Sequence, residues 1–188
     1  FYLGGFFLAG FYDTWLVAVV VGSSSLGAYY ITKWLLPESD LYQYVLSAVF
    51  AVFMAQYIYQ MHGLFEMHFI AFIGCTILIT YQNWKLQLPL TLLVGIHHAI
   101  FAYLQYKGVS EIYFTQLDYM DLRTFIIHVV LALSIFFISG LWSHTLRSNT
   151  IRDIEKNLEL GKLQKGEEQS QVLIEANAKL METARTAK

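Results

Sequence analysis

The sequence predicts an all-α membrane protein, a helix bundle of about five spans that continues into a cytoplasmic coiled coil. Three observations predict it. The 188 residues are 56% hydrophobic and 16% aromatic. The charges are segregated: residues 1–145 hold only Lys33, Lys85, Lys107 and Arg123 among the basic residues, and the other eight follow. The apolar stretches have the length of spans, since a crossing helix needs about 20 mainly apolar residues. Such asymmetry divides the chain into a membrane region, 1–145, and a charged signalling helix, 146–188. A net charge of −2 without a basic patch gives no reason to expect nucleic acid as a partner.

Residues 1–12 are apolar but short and are expected to form an interfacial helix, the alternative being the end of a further span. Asp13 marks the turn into the first span, Trp15–Leu36. Pro37, Glu38, Ser39 and Asp40 separate it from the second, Leu41–Met61. Gly63 separates the second from the third, Leu64–Gln82, and Asn83-Trp84-Lys85 forms the next turn. The fourth span is Leu86–Gln105, a polar loop covers Lys107–Asp121, and the fifth span is Leu122–Thr145. Positive residues favour the cytoplasm. Arg147, Arg152 and Lys156 after the last span therefore place the tail inside. Lys33 and Lys85 fall on the same side, and the Gly63 turn and the Lys107–Asp121 loop fall outside. In a bacterial cell this would be the inner membrane, with outside the periplasm.

Between Leu41 and Trp84 the only formal charge is Glu66, set between His62 and His68 in "HGLFEMH". His97 and His98 lie about eight residues below the outer end of the fourth span, roughly 12 Å deep, and His128 about six residues into the fifth, roughly 9 Å. Different helices thus bring His62, Glu66, His68, His97, His98 and His128 to one outer third of the bilayer, with only His144 elsewhere. Ionisable groups inside a membrane are costly and face a bundle interior, a partner or a pathway. Any one of these histidines has an equally good structural reading, as a hydrogen-bonded core residue. The set points to a site.

Neutral imidazole is the commonest metal ligand. His68, His97, His98 and His128 are the expected ligands, with His62 and Glu66 as ligands or supports. Gln60 and Gln105 are candidates to orient them. Met61, Met67 and Met120 lie in the same zone and favour copper, with zinc or iron as alternatives. Two of the histidines as axial ligands of haem b, walled by Phe69, Phe72, Phe101 and Tyr103, make a second reading. A cofactor-free network that titrates is a third. Cys75 lies two helical turns from His68, about 10 Å along the axis, and is expected to pack as a small residue. "HGLFEMH" lacks the HExxH order of a zinc protease.

In the tail, Ile151, Ile154 and Leu158 are spaced three and four apart, and Leu173, Ala176, Leu180, Thr183 and Ala187 resume the rhythm beyond Gly161 and Gly166. This spacing predicts a parallel two-helix coiled coil and hence a homodimer. The chain begins at Phe1 and stops at Lys188 in mid-pattern, so a parent chain with an output domain beyond the tail is expected.

The segments "HGLFEMHFIAF", "YQNW", "GIHHAIFAYLQ" and "IIHVV" resemble an input domain of bacterial chemoreceptors, sensor histidine kinases and diguanylate cyclases. There they read approximately H-G-x-x-E-x-H-F, Y-x-D-W and H-H-x-x-F-x-Y-L-Q, with a later histidine in the last span. The match falls on His62, Gly63, Glu66, His68, Phe69, Tyr81, Trp84, His97, His98, Phe101, Tyr103, Leu104, Gln105 and His128; Asn83 stands where the family usually has Asp. The resemblance covers roughly residues 13–145. It implies a membrane sensor that signals to a cytoplasmic domain of the same polypeptide and leaves the stimulus open. The rival class is a membrane metal-dependent oxidoreductase, which has no evident use for a coiled-coil tail.

Overall fold

The computed structural model describes residues 1–116 and 122–186. It is all-α, without strands among the described residues. Six α-helices follow in order: α1 Tyr2–Tyr12, α2 Trp15–Leu35, α3 Leu41–Gln60, α4 Phe69–Ile79, α5 Gln87–Tyr106 and α6 Leu122–Thr186. Two 3-10 turns, Phe65–His68 and Trp84–Leu86, lead into α4 and α5. The chain divides into two compact units, Phe1–His144 and Thr145–Lys188.

Local chemistry sets the breaks. Asp13 ends α1 in the left-handed region, φ 55°. Asn83 accepts a hydrogen bond from Lys85 N and opens the turn before α5, an N-cap in function. Pro89 is tolerated because it lies in the first turn of α5, where an N–H has least to do.

Among the described residues, four helices are long and apolar enough to cross a membrane: α2, α3, Trp84–Tyr106 and α6. The expected third span differs from Leu64–Gln82. It is a 3-10 turn followed by the eleven residues of α4. That combination rises only about 24 Å, against a hydrocarbon core of about 30 Å. The shortening has a cause at each end. Left-handed His62 and Gly63 lead into the 3-10 turn, and left-handed Gln82 follows the last turn of α4.

Within the first unit α3 is central, packing against α1, α2, α4 and α5. Met54, Ile58, Leu78, Leu86 and Leu90 are fully buried around it. The outer helices are inverted relative to a water-soluble bundle. The buried residues of α2 are Ala18, Gly22 and Ser25, while Leu16, Val20, Ile31 and Trp34 are exposed. Small residues inward and large apolar residues outward is the pattern of helices that pack in lipid, where close backbone approach takes the place of a hydrophobic driving force.

α1 shows the same close approach. A Cβ on Gly5 would sit 2.6 Å from Gln56 Nε2, and one on Gly22 2.7 Å from the Tyr2 ring. The Phe1 ring lies against Phe50 and Phe53, whereas Gly5 meets Gln60 further along α3. α1 therefore runs beside α3 in the same direction. An interfacial helix lying across the bundle is not what this packing gives.

The second unit is the remainder of α6. Ile151, Ile154 and Leu158 there are all exposed. Ala187 of the expected heptad lies outside the described residues.

Candidate functional site

Three elements deliver the site. The 3-10 turn Phe65–His68 ends on His68, whose Nδ1 lies 3.0 Å from Phe65 O. On α5, His98 folds back on its own helix, with Nδ1 2.8 Å from Val94 O. A carbonyl only accepts, so both Nδ1 atoms donate and both Nε2 atoms carry the lone pair. His128 comes from the first turns of α6. The ring centroids form a triangle: His68–His98 5.1 Å, His68–His128 6.0 Å and His98–His128 5.8 Å.

His97 sits beside this triangle, 5.5 Å from His98, and stacks on Phe101 at 4.3 Å. Both of its ring nitrogens are buried without a hydrogen-bond partner among the described residues. A buried polar group left unmatched costs about 1–3 kcal/mol, a cost that the described residues do not offset for this imidazole.

His62 and Glu66 are set apart from these four histidines. His62, at φ 48°, is sandwiched between Tyr12 at 4.0 Å and Tyr113 at 4.1 Å. Glu66 is exposed on the 3-10 turn. Counting helical turns put both in the outer third with the other histidines. It did not show that the left-handed turn at His62 and Gly63 aims His62 toward α1 and the loop after α5.

The two glutamines hold backbone. Gln60 Nε2 donates to Gly5 O at 2.9 Å and Thr14 Oγ1 at 3.1 Å, tying α1 to α3. Gln105 Oε1 accepts from Phe114 N and Thr115 N at 2.7 and 3.0 Å, and its Nε2 donates to Thr115 O at 2.8 Å. Phe114 lies 5.6 Å from the His68 ring and 5.1 Å from the His98 ring. It belongs to the site, and sequence reasoning missed it. Its signal was weak: one of three aromatic residues, with Tyr113 and Tyr119, in a polar loop.

Met67 packs partly buried against the core, Met61 caps α3, and Met120 lies outside the described residues. Phe69 and Tyr103 are exposed, while Phe72 packs on Phe136. Cys75 is a packed small residue, donating to Phe72 O at 3.0 Å and touching Ser139 Oγ at 3.3 Å.

The residues can be tested against a metal ion. Metal–nitrogen bonds of about 2.0–2.1 Å put imidazole centroids about 3.2 Å from the ion and, at trigonal angles, about 5.5 Å from one another. The observed 5.1–6.0 Å brackets that spacing. As placed, no three His, Cys, Asp or Glu side chains among the described residues converge as a coordination set. The centroid spacing matches that of a three-imidazole site, while the ring orientations as placed do not.

Compared with protein families, with curated proteins and with solved structures, the chain finds no match.

Proposed function

We propose that this chain is a transmembrane sensory module. A membrane-embedded histidine site detects the stimulus, and α6 passes it to a cytoplasmic output domain of the same polypeptide. His68, His98 and His128 hold a transition-metal ion, copper before zinc or iron, with His97 beside them. The observation that carries this reading is the triangle of imidazoles, two of them fixed by backbone carbonyls through Nδ1, which puts the lone pair on Nε2. Metal-ligating histidines typically donate their other nitrogen in this way.

Bound, the ion would supply a stimulus-dependent link between the 3-10 turn, α5 and α6. The chain's own part is to hold the three rings, exclude water with Phe65 and Phe114, and couple His128 to α6. The short third segment completes a fifth crossing together with its flanking turns. The membrane is the bacterial inner membrane, with the loop after α5 outside and the tail inside, as the basic residues favour. The exposed Ile151, Ile154 and Leu158 support a homodimer through the tail, since a single solvated helix gains nothing from that seam.

A second reading rests on His98 and His128. Their rings are 5.8 Å apart and 18° from parallel; as axial ligands of haem b they would have to face each other across a porphyrin, with room opened between them. Elemental analysis together with an absorbance spectrum of the purified protein separates the two. Stoichiometric copper without a Soret band supports the ion; a Soret band near roughly 400–430 nm selects haem. Folded protein that takes up neither refutes both.

A further inference from the structure

α6 is the least buried of the long apolar helices. Among the described residues only 11% of its apolar window is buried, against 50% for α3. The buried residues of α6 are Phe136, Ser139 and Ser143, one narrow face at 3.6 residues per turn. Large apolar residues stand exposed on its other sides, so exposure alone does not say which side a partner takes.

Two observations choose the side. The first is register. Steps of four and three back from Ile151 fall on Arg147, His144, Gly140, Phe137 and Leu133, in the same rhythm as Ile151, Ile154 and Leu158. Two further steps reach Val130 and Ile126, and the apolar side chains of this stripe are all exposed. The stripe on the far side, Leu131, Ile138 and Trp142, is exposed as well, but it continues into Thr145, Asn149 and Arg152. It meets no apolar seam in the tail.

The second is shape. Leu133, Phe137, Gly140 and His144 line a groove of about 510 Å³ between α5 and α6, with Leu88 and Thr91 of α5 on its other wall. The groove is therefore centred on the stripe that the tail register selects, roughly 100° around α6 from the face it gives its own bundle. At Gly140 a Cβ would reach only ordinary contact, 3.9 Å from Gln87 Cγ. Glycine weakens a helix interior, and nothing among the described residues of this protomer requires one there. Between spans, small residues let two backbones approach closely.

We propose that the α5–α6 groove receives α6 of a second copy, so that the dimer seam of the tail continues into the membrane through Gly140, Phe137 and Leu133. This rests on the homodimer proposed above and extends it. The contact is isologous, the same stripe facing itself across a two-fold axis. α5, the helix of His97 and His98, then borders the second copy directly.

The test is disulfide cross-linking of the full chain in native membranes, one introduced cysteine at a time. The parent, whose own Cys75 is buried, gives the background. Cysteines at Leu133, Phe137 and Gly140 should cross-link faster than cysteines at Ile138 and Trp142, and a cysteine at Ile154 reports the tail. A second readout is energy transfer between labelled chains in liposomes at falling protein-to-lipid ratio. Gly140→Leu should weaken association by about tenfold or more, the scale of overpacking a close contact, and Gly140→Ala by less. Thermal unfolding of each variant shows that the protomer is intact, and if Gly140→Leu does not fold, Gly140→Ala and the cross-links decide. Cross-linking at Ile154 with equal rates on both faces of the span, or faster rates at Ile138 and Trp142, overturns the groove contact and leaves the tail dimer standing; lipid then fills the groove. Absence of cross-linking at Ile154 overturns the homodimer and the groove contact together.

Discussion

Replacing Gly63 by Ala tests the fastening of the loop at its tightest point. Gly63 has φ +79°, and an added Cβ would meet Thr115 N, Cα and C at 2.8–2.9 Å, where ordinary contact begins near 3.4 Å. A residue with a side chain in the left-handed region costs about 1–2 kcal/mol. The steric part is separate: the Thr115 backbone must withdraw by roughly half an ångström, because van der Waals repulsion at that range is steep. Withdrawal strains the three hydrogen bonds from Gln105 and lifts Phe114. Together we expect about 2–4 kcal/mol, in the range where special backbone positions dominate mutational effects. If 2 kcal/mol of that falls on the loop, amide exchange at Phe114 and Thr115 speeds up about thirtyfold, at 1.36 kcal/mol per factor of ten. The internal control is Gly95→Ala. Among the described residues nothing lies within 4 Å of a Cβ there, and the position is inside α5. That change is expected to stabilise by about 0.5–1 kcal/mol, the helical penalty of glycine removed. Hydrogen exchange and thermal unfolding in one detergent give both signs. Gly63→Ala with unchanged exchange at Phe114 and Thr115 would refute the argument, because neither the left-handed backbone nor the contact would then exist.

Further outcomes follow from other parts of the chain. Ser47 Oγ donates to Leu86 O at 2.5 Å and accepts from Leu90 N at 3.1 Å, fully buried; Ser47→Ala should destabilise by about 1–3 kcal/mol in thermal or SDS unfolding. Cysteines at Ile151, Ile154 or Leu158 should cross-link between protomers faster than cysteines at Asp153 or Glu155, and equal rates all round would remove the dimer seam. A cysteine at Ser110 should react with an impermeant reagent on intact spheroplasts and one at Ser148 should not; the reverse pattern would invert the orientation.

Much of the helical order is legible in the sequence because its signals are local. Pro37 and Asn83 break the chain where they stand, and runs of about 20 apolar residues announce α2, α3 and α5. His68, His98 and His128 were reachable by counting turns, since depth along a helix is linear in residue number. What was not legible depends on contacts far apart in sequence. Gln105 reads as a helix-end amide until the loop nine and ten residues later is seen to bond it. His62 counts to the same zone as the other histidines, but its left-handed backbone sends the ring between Tyr12 and Tyr113. Gly4 and Gly5 explain α1 only once Tyr57, Gln56 and Gln60 stand opposite them. The third segment was overestimated in length because hydropathy does not register a 3-10 turn.

The most direct measurement is cofactor content at the histidine triangle. Protein purified gently without chelator, and a parallel sample reconstituted with Cu(I), are analysed for metals and by absorbance alongside His98→Ala and His144→Ala. His98 lies in the triangle, 5.1 Å from His68 and 5.8 Å from His128. His144 is exposed, sixteen residues along α6 from His128, about 24 Å of helix. We expect one transition-metal ion per chain in wild type and in His144→Ala, and a loss of at least about tenfold in His98→Ala. Well-folded wild-type protein that carries neither metal nor haem, and takes up neither, would contradict a cofactor site.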